Sequence, residues 1–402
     1  NYLYDQYGRT YLDAYNNVPH VGHAHPRLQA IAARQLQMIN TNTRYLHPAQ
    51  IKFADALRAR LPTHLDHFYF LTSGSEANEL ALRLARAHTG QKHMIVQDHA
   101  YHGHTTGTID ISPYKFNGPG GEGAPDWVEV IEVADPYRGR FGYDDRQAGA
   151  KYAAAIDDAV VAIGKKGAGL AGFIAESFPS VGGQIIPPQG YLKEVYARVR
   201  KAGGVCIADE VQTGLGRLGH VYWGFEKQDA SPDMVVLGKP VGNGHPIGVV
   251  ATTKAIADTF VTGMEFFSTF GGTTLACLIG AEVLNIIDEE NLQKNAETIG
   301  HHLLDGYRKL QDKYPIIGDV RGMGLFTGIE LVTDRTSKTP ATQLAVYVSN
   351  RLRAYRILIG TDGPWDNVLK IRPPLTINQA DADLLLSRLD SIMHEAQIIN
   401  DA

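Results

Sequence analysis

The middle of the chain alternates short apolar segments with amphipathic segments, and this alternation constrains the fold more than any other feature. It runs from residue 67 to about residue 261. Short apolar strands separated by amphipathic helices are typical of an α/β fold, with a mostly parallel sheet covered by helices on both faces. The strands are predicted at 67–72, 93–97, 128–133, 171–175, 204–208, 234–237 and 247–252, and the helices at 76–87, 145–164, 190–202 and 254–261.

Two further regions flank this segment, and a chain of 402 residues is too long for one compact core. We predict an N-terminal segment over 1–45 that joins the smaller domain, a large domain over 46–285 and a small α+β domain over 286–402. Residues 113–125 are rich in Gly and Pro, which predicts a long loop. The flanking elements are predicted as a hairpin within 1–14, helices at 26–39, 49–60, 275–313, 341–354 and 379–396, and strands at 316–321, 324–331 and 367–371.

Composition excludes several classes of function. A net charge of −5 offers no basic face for nucleic acid or for anionic lipid. The two cysteines, Cys206 and Cys277, lie far apart in apolar contexts and are expected to be reduced. No apolar stretch reaches the roughly 20 residues that cross a bilayer, and no signal peptide opens the chain, so a cytoplasmic location is expected. The chain begins inside a predicted strand, which favours a piece of a longer polypeptide.

Asp209 and Lys239 are the leading candidates for chemistry. Asp209 closes the apolar run 204–208, and Lys239 follows the run 234–237. Pyridoxal phosphate needs an amine that forms a Schiff base with its aldehyde and a carboxylate that keeps its pyridine nitrogen protonated. Each residue alone is weak support, since an Asp after a strand is often a turn or cap residue and most lysines are solvated. The pair predicts pyridoxal phosphate because the rest of a cofactor site surrounds it.

A phosphate-binding turn is predicted at Ser73-Gly74-Ser75, between a strand and a helix. Backbone N–H groups at a helix start bind phosphate, the glycine allows close approach, and the serine hydroxyls add donors. The alternative is an ordinary N-cap with Glu76 in the first turn.

Aromatic and histidine side chains follow the strand at 93–97. Tyr101 is expected to stack on a planar cofactor. His102 is expected to hydrogen-bond nearby, and His104 and His20 to help position substrate. We predict no metal site, because the histidine clusters lack a clear third ligand.

Three residues around Asp209 complete the predicted cofactor site. Val211 is expected to press on the ring face, and Gln212 to reach the phenolic oxygen of the cofactor. Glu176 closes the strand at 171–175 and is expected to order the polar network at the same sheet edge.

Arg372 ends a predicted strand and is followed by two prolines. Its planar fork suits an anionic group of a substrate, although a salt bridge that links domains is an alternative. Asn17, His20 and Arg44 are further candidates for an anion site.

These residues resemble the class III pyridoxal phosphate-dependent aminotransferases, of the aspartate aminotransferase-like fold (fold type I), across essentially the whole chain. The resemblance implies a Schiff-base lysine at Lys239 and Asp209 as the partner of the ring nitrogen. It also implies Thr269 on the cofactor phosphate of a neighbouring subunit, and therefore a homodimer with shared active sites. The motifs in the family's order are Gly22-His-Ala-His-Pro26, Ser73-Gly-Ser-Glu-Ala-Asn78, Tyr101-His-Gly103, Asp209-Glu-Val-Gln212, Gly238-Lys239 and Thr269-Phe-Gly-Gly272.

Within the family the chain is similar to phospho-lyases that act on ethanolamine phosphate or 5-phosphohydroxy-L-lysine. Two departures from the wider family stand out: Gly271-Gly-Thr-Thr274 replaces Gly-Gly-Asn-Pro, and Val181 stands where many ω-aminotransferases carry a gating glutamate. The stretches that carry this similarity are Asn16–His23, Asn40–Arg44, Ile111–Phe116, Ser180–Pro188, Lys239–Pro246 and Gly263–Phe267.

Three functions remain open at this point. The leading hypothesis is a phospho-lyase that removes phosphate and ammonia from a small phosphorylated amine such as O-phosphoethanolamine. The second is an ω-aminotransferase that moves nitrogen between an amine and a keto acid with the same residues. The third is a regulatory module that binds the cofactor without turnover.

Overall fold

The structure is a computed structural model, and it describes residues 1–261 and 265–401. Of the predicted stretch 263–267, residues 263 and 264 lie outside the described part. The predicted N-terminal hairpin is present, with Asp5 accepting the backbone N–H groups of Tyr7 and Arg9 in its turn. Its strands are β1 (Tyr2–Tyr4) and β2 (Thr10–Asp13), and helices α1 (Pro26–Leu36) and α2 (Pro48–Arg58) follow.

A sheet of seven described strands forms the centre of the molecule. The strand order is β3-β9-β8-β7-β6-β4-β5, and β9 runs in the direction opposite to the other six strands. The prediction of a mostly parallel sheet is confirmed. The strands are β3 (His67–Leu71), β4 (His93–Gln97), β5 (Val128–Ile131), β6 (Leu170–Glu176), β7 (Val205–Asp209), β8 (Met234–Leu237) and β9 (Gly248–Thr252).

Helices cover both faces of this sheet because alternate strand residues point to opposite sides. Val96 packs against the helix Gly74–Thr89 on one face of the sheet. Its neighbour Ile95 packs against the helices of the opposite face. Two predictions are corrected: the helix at 145–164 divides at Ala154, and the loop at 113–125 opens with a short helix. The helices are α3 (Gly74–Thr89), α4 (Thr106–Asp110), α5 (Pro113–Phe116), α6 (Ala148–Ala153), α7 (Ala155–Lys165), α8 (Tyr191–Lys201), α9 (Gly224–Lys227) and α10 (Lys254–Val261).

The C-terminal part combines helices with two small sheets. The tract predicted as one helix over 275–313 divides at Asn291, whose φ of 53° is left-handed and ends regular helix geometry. The elements are α11 (Thr274–Glu289), α12 (Leu292–Lys313), β10 (Ile317–Met323), β11 (Phe326–Asp334), β12 (Thr339–Pro340), α13 (Thr342–Ala354), β13 (Ile357–Leu358), β14 (Gly360–Asp362), β15 (Val368–Ile371) and α14 (Gln379–Asp401).

One of the two small sheets joins the N-terminal hairpin to the C-terminal part of the chain. One sheet has the order β10-β11-β15-β14, with β12 paired to β11. The N-terminal strand β2 pairs with β13 in the other, so the opening hairpin lies against the C-terminal region. Within the described ranges, no helix is apolar over a length that would cross a membrane.

The ends of the central strands converge on one edge of the sheet. Glu176 and Asp209 are directly paired at the ends of β6 and β7. Because β8 lies beside β7, Lys239 follows at the same edge. Strand β9 runs the opposite way, so the residues that precede it reach this edge as well. Parallel sheets bind ligands beyond such carboxyl ends.

Candidate active site

A cavity of about 340 Å³ opens at this edge and brings most of the predicted cofactor residues together. It lies where several strand ends and the start of α3 meet. Among the residues that line it are Ser73, Gly74, Ser75, Tyr101, His102, Glu176, Asp209, Val211, Gln212 and Lys239.

Asp209 is held firmly at the cavity wall. Its Oδ2 accepts hydrogen bonds from Asn78 Nδ2 and His102 Nδ1, both at 2.8 Å, and its Oδ1 accepts the Val211 N–H at 3.1 Å. The side chain is almost fully buried. A buried carboxylate needs such partners, and together they fix its direction.

Lys239 follows β8 in a strained backbone conformation. Its φ of 25° is unusual for a residue with a side chain. Burial lowers the pKa of its amine, while the nearby Asp209 carboxylate acts in the opposite direction. The amine therefore loses its proton more readily than a solvated lysine does, which suits a nucleophile and base.

The turn before α3 serves two purposes. Ser73 caps the helix, since its Oγ accepts the Glu76 N–H at 3.2 Å. This is the alternative considered from the sequence, yet Gly74 and Ser75 still line the cavity at the first turn of a long helix. The Ser75 hydroxyl accepts the His104 N–H at 3.1 Å, and the His104 side chain is exposed.

Two glycines keep the cavity floor open. A Cβ on Gly238 would lie 3.1 Å from the Gly74 Cα and 3.3 Å from Val211 Cγ2. A Cβ on Gly74 would meet the same Val211 methyl at 3.2 Å. The close approach of these segments seats Val211 directly beside the helix start.

Tyr101 forms another part of the wall. Its ring meets that of Tyr114 edge to face at 6.1 Å between centroids, and Lys115 Nζ lies 5.7 Å from its centroid. Burial raises the pKa of its phenol. Tyr114 and Lys115 belong to α5, in the region predicted only as a loop.

Gln212 joins the cavity to a buried arginine. Its Oε1 accepts hydrogen bonds from Asn17 Nδ2 at 2.8 Å and from Arg372 Nη1. Because both partners are donors, the amide oxygen faces them, which leaves the amide NH₂ as the group free to face the cavity. Asn17 and Arg372 therefore lie one residue behind the cavity wall.

Arg372 carries an incompletely satisfied guanidinium. Nη1 also approaches Ser180 Oγ at 3.3 Å, and Nε is buried without a partner among the described residues. Burial lowers its pKa to about 10. On the same strand face, Lys370 is paired with Asp362, and burial together with Arg372 lowers the Lys370 pKa to about 8.

Glu176 is a second buried carboxylate at the cavity. Its Oε2 accepts the Ser180 N–H at 2.6 Å. Burial and the charge of Asp209 raise its pKa to about 7. It therefore gains and loses its proton near neutral pH, next to the Asp209 carboxylate.

The structure does not bring every predicted residue to the cavity. The expectation that His20 contacts substrate is corrected: it is fully buried, its Nε2 lies 2.7 Å from the Leu215 carbonyl, and its Nδ1 faces Arg217. Arg44 is exposed, 5.4 Å from the Phe267 ring centroid, and lies outside the cavity. Thr269 is also exposed and away from the cavity of its own chain.

Sequence reasoning missed Asn78 and the Lys370–Asp362 pair. Asn78 is a polar residue on the apolar face of α3, among buried Ala77, Leu80 and Ala81. A polar side chain in such a stripe is the signal that could have marked it. Lys370 is a charged residue in the otherwise apolar, buried strand β15, and this pattern could have marked it in the same way.

The residues present fit pyridoxal phosphate. The cavity joins a buried amine, a fixed carboxylate, the first turn of a helix and a floor kept clear by glycines. In addition, the buried Nε2 of His102 has no protein partner within the described ranges. Over those same residues, no group of His, Cys, Asp and Glu is placed to hold a metal ion.

Comparisons with known proteins agree with this geometry. The alanine–glyoxylate aminotransferase 2-like protein of Drosophila melanogaster is 48% identical, over 96% of this chain and 79% of its own length. Ethanolamine-phosphate phospho-lyase homolog 1 of Caenorhabditis elegans is 41% identical, over 98% of this chain and 86% of its own length. A solved phospholyase from Arthrobacter in complex with phosphoethanolamine superposes with a TM-score of 0.93, at 37% identity, over 98% of this chain and 92% of that one.

A family model supplies the last comparison. The model described as aminotransferase class-III matches residues 1–393, nearly the whole chain. The match includes every element that builds the cavity. The chain belongs to the class III aminotransferases, a family of enzymes that depend on pyridoxal phosphate.

Proposed function

We propose that this enzyme is a phospho-lyase that eliminates phosphate and ammonia from a small phosphorylated amine such as O-phosphoethanolamine. The observation that carries the proposal is the buried Arg372 guanidinium with neutral partners beside the cavity. Its hydrogen bonds go to Gln212 and Ser180, while the nearby Asp362 is paired with Lys370. A buried cation without an ion-pair partner in the described structure favours an anionic ligand.

Two further facts support a phosphorylated substrate. Val181 stands at the position where many ω-aminotransferases of the family place a glutamate, and it directly follows Ser180, a partner of Arg372. The similar Arthrobacter phospholyase was solved with phosphoethanolamine. Both favour a site that leaves Arg372 free for the anionic end of a substrate.

The cofactor site is proposed to work through Asp209 and Lys239. Pyridoxal phosphate, when bound, accepts electron density from the bonds of the amine-bearing carbon. Asp209 holds the proton at the ring nitrogen, steadied by Asn78 and His102. The Lys239 amine, whose pKa is lowered by burial, takes the proton from the amine-bearing carbon of the substrate.

The remaining side chains hold the cofactor and the substrate. The N–H groups at Gly74 and Ser75, with the hydroxyls of Ser73 and Ser75, bind the cofactor phosphate, and Val211 and Tyr101 enclose its ring. Arg372, with Asn17, binds the phosphate of the substrate, and the Gln212 amide meets the phenolic oxygen of the cofactor. Loss of that phosphate and hydrolysis convert O-phosphoethanolamine and water to acetaldehyde, ammonia and inorganic phosphate.

The second candidate is transamination, which the Drosophila relative's name favours. The two reactions differ in their need for a keto acid. We therefore propose incubating the holoenzyme with O-phosphoethanolamine alone and assaying inorganic phosphate. Continued release supports the lyase. Absence of phosphate, with amine consumption that starts on addition of pyruvate, would establish the transaminase instead.

We also propose a homodimer with shared active sites. A band of large apolar side chains is exposed on the surface of the chain, and it is formed by residues 36–51 and 267–270. Hydrogen bonds hold the two segments together: Gln50 donates to the Gly272 carbonyl, and the Thr274 N–H donates to the Thr41 carbonyl. Large exposed patches mark protein interfaces. The band consists of Leu36, Met38, Ile39, Tyr45, Leu46, Ile51, Phe267 and Phe270, and Thr269 lies within it.

A further inference from the structure

Arg217 is a buried cation that the proposed reaction does not use. It has no exposed surface, and in the described chain it forms no ion pair with a carboxylate. Burial, with a contribution from the nearby Arg372 charge, lowers its pKa to about 9. A charge in this position destabilises the fold unless its donors are satisfied. Its partners therefore indicate what the residue is for.

The partners of Arg217 connect the two sides of the candidate site. Nη1 donates to the Pro373 carbonyl at 2.9 Å and to the Leu325 carbonyl at 3.0 Å. The Arg217 carbonyl accepts the Leu325 N–H at 3.0 Å. Pro373 directly follows Arg372, whereas Arg217 lies in the loop that follows Asp209. The guanidinium thus ties the Asp209 loop to the strand end that carries Arg372.

His20 holds Arg217 in this orientation. Nε2 lies 2.7 Å from the Leu215 carbonyl and must carry the hydrogen, so Nδ1 presents a lone pair to Arg217 Nη2 at 3.2 Å. Burial and the Arg217 charge lower the His20 pKa to about 3, which keeps the ring neutral. The His20 backbone carbonyl also accepts the Leu375 N–H, three residues beyond Arg372.

We propose that Arg217, oriented by His20, is a positioning residue that fixes Arg372 for the anionic group of the substrate. The inference rests on the proposed function to the extent that Arg372 meets that anion. A purely structural role would weaken the fold and affect every ligand alike. A positioning role instead affects ligands that carry the anion and leaves neutral amines unchanged.

The test uses two substitutions of nearly equal size at one position. His20→Asn retains an acceptor for Arg217, and His20→Leu removes it. Arg217→Lys, which keeps the charge and loses the planar fork, is the independent variant. For each holoenzyme, the absorbance of the cofactor is titrated with O-phosphoethanolamine and with ethanolamine, which lacks the phosphate. Phosphate release by the unsubstituted enzyme is measured separately.

We expect His20→Leu and Arg217→Lys to raise the Kd for O-phosphoethanolamine about tenfold, with the Kd for ethanolamine within about twofold of the original. His20→Asn should stay close to the original for both ligands. Equal weakening of both ligands, an unchanged Kd for O-phosphoethanolamine, or loss of the cofactor in both disruptive variants would overturn the inference. An original enzyme that binds the phosphorylated amine without releasing phosphate would overturn the proposed function alone.

Discussion

Burial gives Lys239 and Glu176 their chemical character. Each is a common residue type whose ordinary pKa lies far from neutrality. Inside the cavity the pKa of Lys239 falls, and that of Glu176 rises to about 7. Both shifts favour the neutral form of the side chain, as desolvation requires. The site therefore holds an amine that loses its proton more readily than a solvated lysine and a carboxyl group that titrates near neutral pH.

Lys239→Met is the sharpest test at the residue scale. The substitution keeps a long side chain and removes the amine, so we expect loss of the yellow cofactor colour and a fall in kcat of at least about 10³-fold. Borohydride reduction followed by mass spectrometry should attach the cofactor to the original chain and not to the variant. Lys254→Met, at an exposed lysine paired with Asp258, is the control and should behave as the original.

Glu176→Gln should change how the free energy of unfolding depends on pH. The folded pKa of Glu176, about 7, lies above its ordinary value of 4.5, so folding favours the protonated carboxyl. That contribution is complete below about pH 4.5 and is lost as the pH rises through 7. The amide stays neutral and can still accept the Ser180 N–H. We therefore expect Glu176→Gln to be about 3 kcal/mol more stable than the original at about pH 8, and nearly equal below about pH 4.5.

Thermal unfolding of the protein freed of cofactor measures this difference, since bound ligand would add its own stabilisation. The Tm difference should grow between the two pH values. A constant difference would show that Glu176 does not titrate in this range.

At the scale of elements, the cavity depends on how closely β8, the start of α3 and the loop after β7 approach. Gly238 is the contact point, and its φ of −163° is extended backbone that any residue adopts. The constraint is therefore steric. A methyl group there would meet the Gly74 backbone at 3.1 Å.

Gly238→Ala should therefore weaken cofactor binding without unfolding the sheet. We expect the Kd for pyridoxal phosphate to rise about tenfold, because one segment must move by a few tenths of an ångström at the phosphate turn. Titration followed by absorbance measures the effect. Gly164→Ala is the matched control: it lies in α7 with open space around the added methyl, so cofactor binding should not change.

The strands of the central sheet and the order of the motifs along the chain could be predicted from the sequence, because both depend on patterns of neighbouring residues. The breaks in the helices were missed for a physical reason. Ala154 carries no helix-breaking signal, and Asn291 carries only a weak one, since Asn tolerates the left-handed backbone that it adopts there. The two helices beside Asn291 pack on different neighbours: α11 packs mainly on α1 and α2, whereas α12 packs mainly on β10 and α14. The helix at Pro113–Phe116 was missed because glycines after it dominate the composition.

At the scale of the whole molecule, the exposed apolar band predicts association. Leu46 is fully exposed and Phe270 is 70% exposed. We expect light scattering to give twice the 43.9 kDa mass of one chain. The double substitution Leu46→Glu and Phe270→Glu should shift the protein to monomers and reduce activity, because buried unpaired charge opposes association.

Val161→Glu is the control for that experiment. Val161 is also exposed and apolar but lies on α7, away from the band. It should leave the mass unchanged. A monomeric mass for the original protein at full activity would contradict shared active sites.

In the candidate site, too, only part of the arrangement could be predicted from the sequence. Asp209, Lys239 and the Ser73–Ser75 turn could be found because each lies at the end of a predicted strand or within a few residues of it. The partners of Arg372 and His20 could not, since they join residues more than 150 positions apart. His20 in particular has the residue type of a substrate ligand, yet its contacts assign both ring nitrogens to the protein.

In the proposed reaction, O-phosphoethanolamine loses its phosphate in a cycle that regenerates the cofactor. Phosphate and acetaldehyde released per active site, with no keto acid present, test this most directly. We expect equal amounts of the two products, with release that continues well beyond one equivalent per site. Release that stops at or below one equivalent, or acetaldehyde without phosphate, would contradict it.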